Sequence, residues 1–195
     1  MTPPKRERKI KMKKLIIAAA IVCAAALSQA ASVSWTCTLV KNGSAGASNA
    51  GIAYLMLASD VADFTALAGK GATAVNAALA DALISYTPGT AGKYTHDAVD
   101  NATLGLTDGT SYGNAYLVIF DTATVTDASK FYVTQTKALE TYEGDKVASL
   151  SFGSQSAASK LDSNWNAVAA AVPEPTSGLL LLLGVAGLAL KRKRA

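Results

Sequence analysis

The chain has 195 residues and a formal net charge of +4, but its positive charge is confined to the two ends. Residues 1–30 carry seven Lys/Arg against one acid and residues 191–194 four more cations, whereas residues 31–172 hold seven lysines and twelve carboxylates, a balance of −5. An acidic centre excludes the basic patch that nucleic-acid binding needs, and two cysteines, of which Cys23 lies in the leader and Cys37 in the centre, provide no disulfide framework.

In chain order, a basic stretch (residues 5–14) precedes an apolar run (residues 15–27), and Ser28-Gln29-Ala30 puts small residues at both specificity positions of a cleavage site. This is the pattern of a secretory signal peptide over residues 1–30, cut after Ala30, with Ser28 and Ala30 marking the site. Met12, followed by Lys13 and Lys14, offers a more ordinary start for such a leader, so Met1 and Met12 stand as alternative initiation points.

The body, residues 31–168, is long enough for one hydrophobic core. Val33, Trp35, Cys37 and Leu39 alternate with Ser34, Thr36 and Thr38, which predicts a half-buried strand with the Cys37 thiol on its apolar face. Residues 41–51 are rich in Gly, Ser and Asn and read as a loop. Residues 52–57 form a continuous apolar run, a strand buried on both faces. Ser59-Asp60 is a helix cap signal. Val61, Phe64 and Leu67, then Val75, Leu79 and Leu83, recur at helical spacing on either side of Gly69 and Gly71, which predicts a short helix and a longer one over residues 73–86. Pro88-Gly89 ends it, and residues 87–114 read as polar connection. Three more strands follow, over residues 115–120, 131–136 and 147–152, with Trp165 and Val168 docking back on the sheet. The expected fold is α+β: a mostly antiparallel sheet of about five strands packed with an alanine-rich helix or helix pair, flanked by an N-terminal signal helix and a C-terminal transmembrane helix.

Residues able to do chemistry are sparse. His96 is the lone histidine, beside Asp97. Neighbouring side chains on an extended chain point apart, and no GxSxG elbow supplies a nucleophile, so a hydrolase built on His96 is the least favoured reading. One His and one Cys do not make a zinc site. Asp97, Asp100, Asn101 and Asp108 could offer oxygens to calcium, but their spacing matches no EF-hand loop. Gly69 and Gly71 belong to no GxxxxGK[ST] pattern. Tyr94 and Tyr112, near glycine-rich turns, are the aromatic candidates for stacking on sugar rings. No cofactor, metal or catalytic residue is expected.

The tail, residues 169–195, is the most informative stretch. Pro173, Glu174 and Pro175 form an extended motif, because proline fixes φ and biases its predecessor away from helix. An apolar segment follows: Gly178, Leu179, Leu180, Leu181, Leu182, Leu183, Gly184, Val185, Ala186, Gly187, Leu188, Ala189 and Leu190. As a helix it would be roughly 20 Å long, short of the roughly 30 Å bilayer core. Lys191, Arg192, Lys193 and Arg194 close it with a basic stop whose long side chains extend the span by snorkelling and orient it with the body outside.

The order of Pro-Glu-Pro, leucine-rich segment and basic terminus resembles the PEP-CTERM sorting domain of bacterial exported proteins. The resemblance implies recognition by an exosortase, a membrane-embedded transpeptidase-like enzyme that cuts near the motif, much as a GPI signal loses its hydrophobic tail. It also implies association with exopolysaccharide and biofilm systems. The expected function is an exported surface or extracellular-matrix protein without enzymatic activity, anchored in the envelope membrane and processed through this tail. The alternative is a carbohydrate-binding module engaging exopolysaccharide.

Overall fold

A computed structural model of the protein describes residues 30–169. The signal segment before Ala30 and the tail from residue 170, including the expected signal and transmembrane helices, lie outside the described residues. Among the described residues, no helix is long and apolar enough to cross a membrane.

The described chain is mostly β, with one α-helix. Its strands are β1 (Ser32–Thr38), β2 (Ala53–Leu57), β3 (Ile84–Tyr86), β4 (His96–Asp100), β5 (Ser111–Phe120), β6 (Lys130–Val133), β7 (Lys137–Glu140), β8 (Val147–Ser154) and β9 (Asn166–Ala167); the helix is α1 (Ala72–Leu79). They form two sheets rather than the one expected. A three-stranded sheet runs β4-β1-β8. A six-stranded sheet runs β3-β2-β5-β6-β9, with β7 also on β5. All pairings are antiparallel except β1 with β8, which run parallel.

Alternation along β1 and β8 explains the first core. Val33, Trp35 and Cys37 from one strand and Ala148, Leu150 and Phe152 from the other point the same way, onto Leu55, Leu117, Ile119 and Leu139 of the larger sheet. The opposite face of the larger sheet carries a second core, where Met56, Tyr116, Val118, Phe120 and Phe131 meet Phe64, Val75, Leu79 and Val168. Strand β5 belongs to both, which is why its residues from Ala115 to Phe120 are buried on alternate faces without a polar break. The result is three layers: small sheet, large sheet, helix and loops.

Several expectations change. The helix predicted over residues 73–86 stops at Leu79, and Ile84–Tyr86 instead pairs with β2, Leu55 opposite Ile84 and Ala53 opposite Tyr86. Helical spacing there was outweighed by an open sheet edge. The first short helix is a single 3-10 turn, Phe64–Leu67, capped by Asp63 through Thr65 N–H at 2.9 Å rather than by Ser59-Asp60. Helix α1 takes its cap from far along the chain: Ala72 N–H donates to Asp127 Oδ1 at 2.6 Å. The polar connection at residues 87–114 contains β4 and the start of β5. The strand expected over residues 131–136 breaks after Val133, where Thr134 exchanges two bonds with Leu117, and resumes along β5 as β7.

Candidate functional site

The sole histidine comes to rest in an aromatic wall. Its ring lies 4.9 Å from that of Trp35 at 34° and 5.5 Å from that of Tyr86 at 88°. Behind it runs a chain of hydrogen bonds. Trp35 Nε1 donates to Tyr86 Oη at 2.8 Å, Tyr86 Oη to the Tyr94 carbonyl at 2.9 Å, and Tyr94 Oη to the Gly51 carbonyl at 2.8 Å. Asn49 completes it, giving Nδ2 to Tyr94 Oη at 2.6 Å and to the Phe120 carbonyl at 2.9 Å. Buried polar groups need such partners, so this is a brace between the sheets. His96 Nδ1 sits 2.9 Å from the Asp97 carbonyl; among the described residues no carboxylate or hydroxyl side chain bonds the ring. Burial pushes the Tyr86 and Tyr94 phenols upward and the Cys37 thiol up to about 12. Cys37 is fully buried, as its place in the alternation predicted, and its thiol stays protonated at neutral pH.

The oxygen-ligand candidates do not converge. Asn101 is buried and donates to Asp108 Oδ1 at 2.7 Å, while Asp97 and Asp100 are exposed on the edge strand β4. Among the described residues no three His, Cys, Asp or Glu side chains are placed to hold a metal ion.

The two tyrosines singled out for sugar stacking are not presented for it. Tyr94 is fully buried. Tyr112 is half-buried against the inner core, its hydroxyl accepting the Thr107 N–H. The exposed aromatic is Tyr142, 44 % accessible. It lines an open hollow of about 530 Å³ with Thr110, Ser111, Glu140, Glu143 and Lys146, and a smaller one of about 210 Å³ with Glu140, Ser149 and Leu150, between the edges of β7 and β8. The sequence signal for it was modest: an aromatic between two glutamates at a strand end, just before the Gly144-Asp145 turn.

This hollow and the point where the chain leaves lie at opposite ends. Glu140 pairs with Ser111 at one end of β5, and Lys130 N–H donates to Asp121 Oδ1 just beyond Phe120 at the other. Ten residues of strand put about 30 Å between them. The chain enters at the Ser111 end: Ala31 is buried, its carbonyl accepts from Asn101 N–H at 2.9 Å, and Ser32 N–H donates to the Lys146 carbonyl at 3.2 Å. Ala30, the expected last leader residue, is exposed. The chain leaves at the Phe120 end, where β9 pairs with β6, Lys130 opposite Ala167. Ser28, Pro173, Glu174, Pro175, residues 178–190 and Lys191, Arg192, Lys193 and Arg194 lie outside the described residues.

Residues 171–194 match the family model of the PEP-CTERM protein-sorting motif. Such motifs are recognised by exosortase, a membrane enzyme, and imply export and membrane processing. Comparison with curated proteins and with solved structures gives no match.

Proposed function

We propose that this is a non-enzymatic protein of the cell surface or extracellular matrix, delivered by its tail. The carrying observation is the sorting-motif match at residues 171–194, which begins two residues past the last described residue of the body. In this reading the leader is removed after Ala30. Residues 178–190 then hold the exported chain in the membrane with Lys191 to Arg194 on the cytoplasmic side, and exosortase cuts near Pro173, Glu174 and Pro175. Fractionation of the native host tests this: wild type is expected at the surface or in the medium, and a variant with the three motif residues changed to alanine in the membrane. Equal distribution of both would contradict the reading.

A second reading is favoured by one observation. An exposed tyrosine ring flanked by Glu140, Glu143, Lys146 and the hydroxyls of Thr110 and Ser111 offers a stacking face with hydrogen-bonding groups around it, a combination suited to exopolysaccharide. Tyr142→Ala is expected to abolish retention of the body on a polysaccharide matrix from the host. Unchanged retention would remove this site from consideration.

A further inference from the structure

The body is held firmly right up to the start of the sorting tail. Val168 is fully buried and donates its N–H to the Ser129 carbonyl at 3.0 Å. Gly69 and Gly71 donate to the Ala167 and Val168 carbonyls at 2.9 and 2.8 Å, and Ala169 N–H donates to the Asp127 carbonyl at 3.3 Å. The chain is thus clamped between the loop that precedes α1 and the loop that precedes β6. From Ala169 to Pro173 is four peptide steps. A fully extended chain spans at most about 3.6 Å per residue, so the first motif residue lies within about 14 Å of Ala169. An enzyme that handles the motif meets the body at that range.

We propose that the surface around Ala169, formed by Lys70, Gly71, Asp127 and Ala128, is the face with which the folded body seats on the membrane-embedded processing enzyme while the tail is cut; the proposal rests on the sorting reading of the tail. Lys70, Asp127 and Ala128 are exposed. Together the four residues present one cation, one carboxylate and no large apolar side chain. Anionic lipid is drawn to clusters of cations and acyl chains to apolar faces, so this face suits a protein partner better than bare bilayer. Releasing residues 166–169 would lengthen the tether, but it would expose Val168 and undo both the four backbone hydrogen bonds of the clamp and the β6–β9 pairing. The hollow at Tyr142 lies by the opposite end of β5, about 30 Å along the strand from the exit.

The test is photo-crosslinking of the full chain in its native host. A crosslinking residue replaces Ala128 or Lys70 near the exit, or Glu143 at the opposite end. The same three positions are then placed in a chain with twelve Gly/Ser residues inserted after Ala169, which adds about 20 Å of flexible reach. Intact mass reports processing in every case. The expected result is at least tenfold more crosslink to a membrane protein from Ala128 and Lys70 than from Glu143, falling to the Glu143 level once the spacer is present. Equal yields from all three sites in a processed chain overturn the proposed face alone. Crosslinks to lipid but not protein overturn it in favour of a bilayer seat. A parent chain that keeps its whole tail overturns the sorting reading and the face together, so the two failures are distinguishable.

Discussion

The two ends of the sandwich are built on different terms. At the Phe120 end, where the chain leaves, two glycines sit against neighbours that leave no room for a side chain, one of them against backbone. A Cβ on Gly51 would lie 1.9 Å from the Phe120 carbonyl oxygen, and one on Gly43 would lie 1.8 Å from Asp162 Oδ1. Asn49, fully buried, ties that end to the inner core through Phe120 and Tyr94. At the Ser111 end, Gly144 has nothing within 4 Å of its Cβ position, and Tyr142 stands half in solvent. At the Ser111 end the hydroxyl of Thr141 accepts from Thr110 N–H at 2.9 Å and Asn101 donates to Asp108 at 2.7 Å, so polar side chains, rather than close backbone contact, fasten that end.

Substitutions can break this contrast, and the largest effect belongs to the exit end. Gly51→Ala is expected to destabilise the body by about 3 kcal/mol, because the contact is with backbone that cannot rotate away. Gly144→Ala, also in a turn and at φ 78°, meets no neighbour and should cost only about 1 kcal/mol of left-handed strain. Chemical denaturation of the two variants measures the difference; equal losses would erase the asymmetry. Asn49→Ala comes next. It strands the Phe120 carbonyl and removes a donor from Tyr94 Oη, for about 2 kcal/mol, read by the same denaturation midpoint. Tyr142→Ala should change stability by less than about 0.5 kcal/mol, as for surface positions generally, while removing retention on polysaccharide.

The smallest expected effect is electrostatic. Asp162 accepts from the Ser44 hydroxyl and, at 2.9 Å, from Ser44 N–H. These bonds, the side-chain one first, hold its carboxyl below the usual value of 3.8. A carboxylate depressed in the folded state contributes stability that is present above its unfolded pKa and is lost as pH falls through the folded one. Ser44→Ala should therefore raise the Asp162 titration midpoint toward 3.8 in an NMR pH series, with the backbone bond retaining part of the shift. An unmoved midpoint would mean that the loop of residues 41–51 is not fastened there.

What the sequence made legible follows the range of the forces involved. Alternation placed Val33, Trp35 and Cys37 inward, the apolar run placed residues 115–120 in a strand, and Ala148, Leu150 and Phe152 fell on one face of β8, because each pattern is local; Leu39, expected on the same face as Cys37, lies past the end of β1 at φ 56° and is exposed. The strand at Ile84–Tyr86 was hidden, since its partner Leu55 lies some thirty residues away and the local spacing favours helix. The edge strand β4 was hidden for a similar reason: His96, Asp97 and Asp100 read as loop, and only its pairing with β1 makes it a strand. Tyr94 and Tyr142 carry comparable local signals. Burial of the first depends on Asn49 and Gly51, and exposure of the second on a strand end beside a turn, so the sequence reading singled out Tyr94 and Tyr112 and passed over Tyr142. The sorting motif of the tail was legible because it is a linear pattern, and residues 171–194 match its family model.

The account turns on that address being used. The most direct measurement is the intact mass of the protein purified from its native host. The account predicts a mass lacking residues 1–30 and lacking the segment beyond the motif, residues 178–195 included, and a heavier species with its tail retained when Pro173, Glu174 and Pro175 are changed to alanine. A wild-type mass that still contains residues 178–195 would contradict it and would make the protein a plain C-terminally anchored membrane protein.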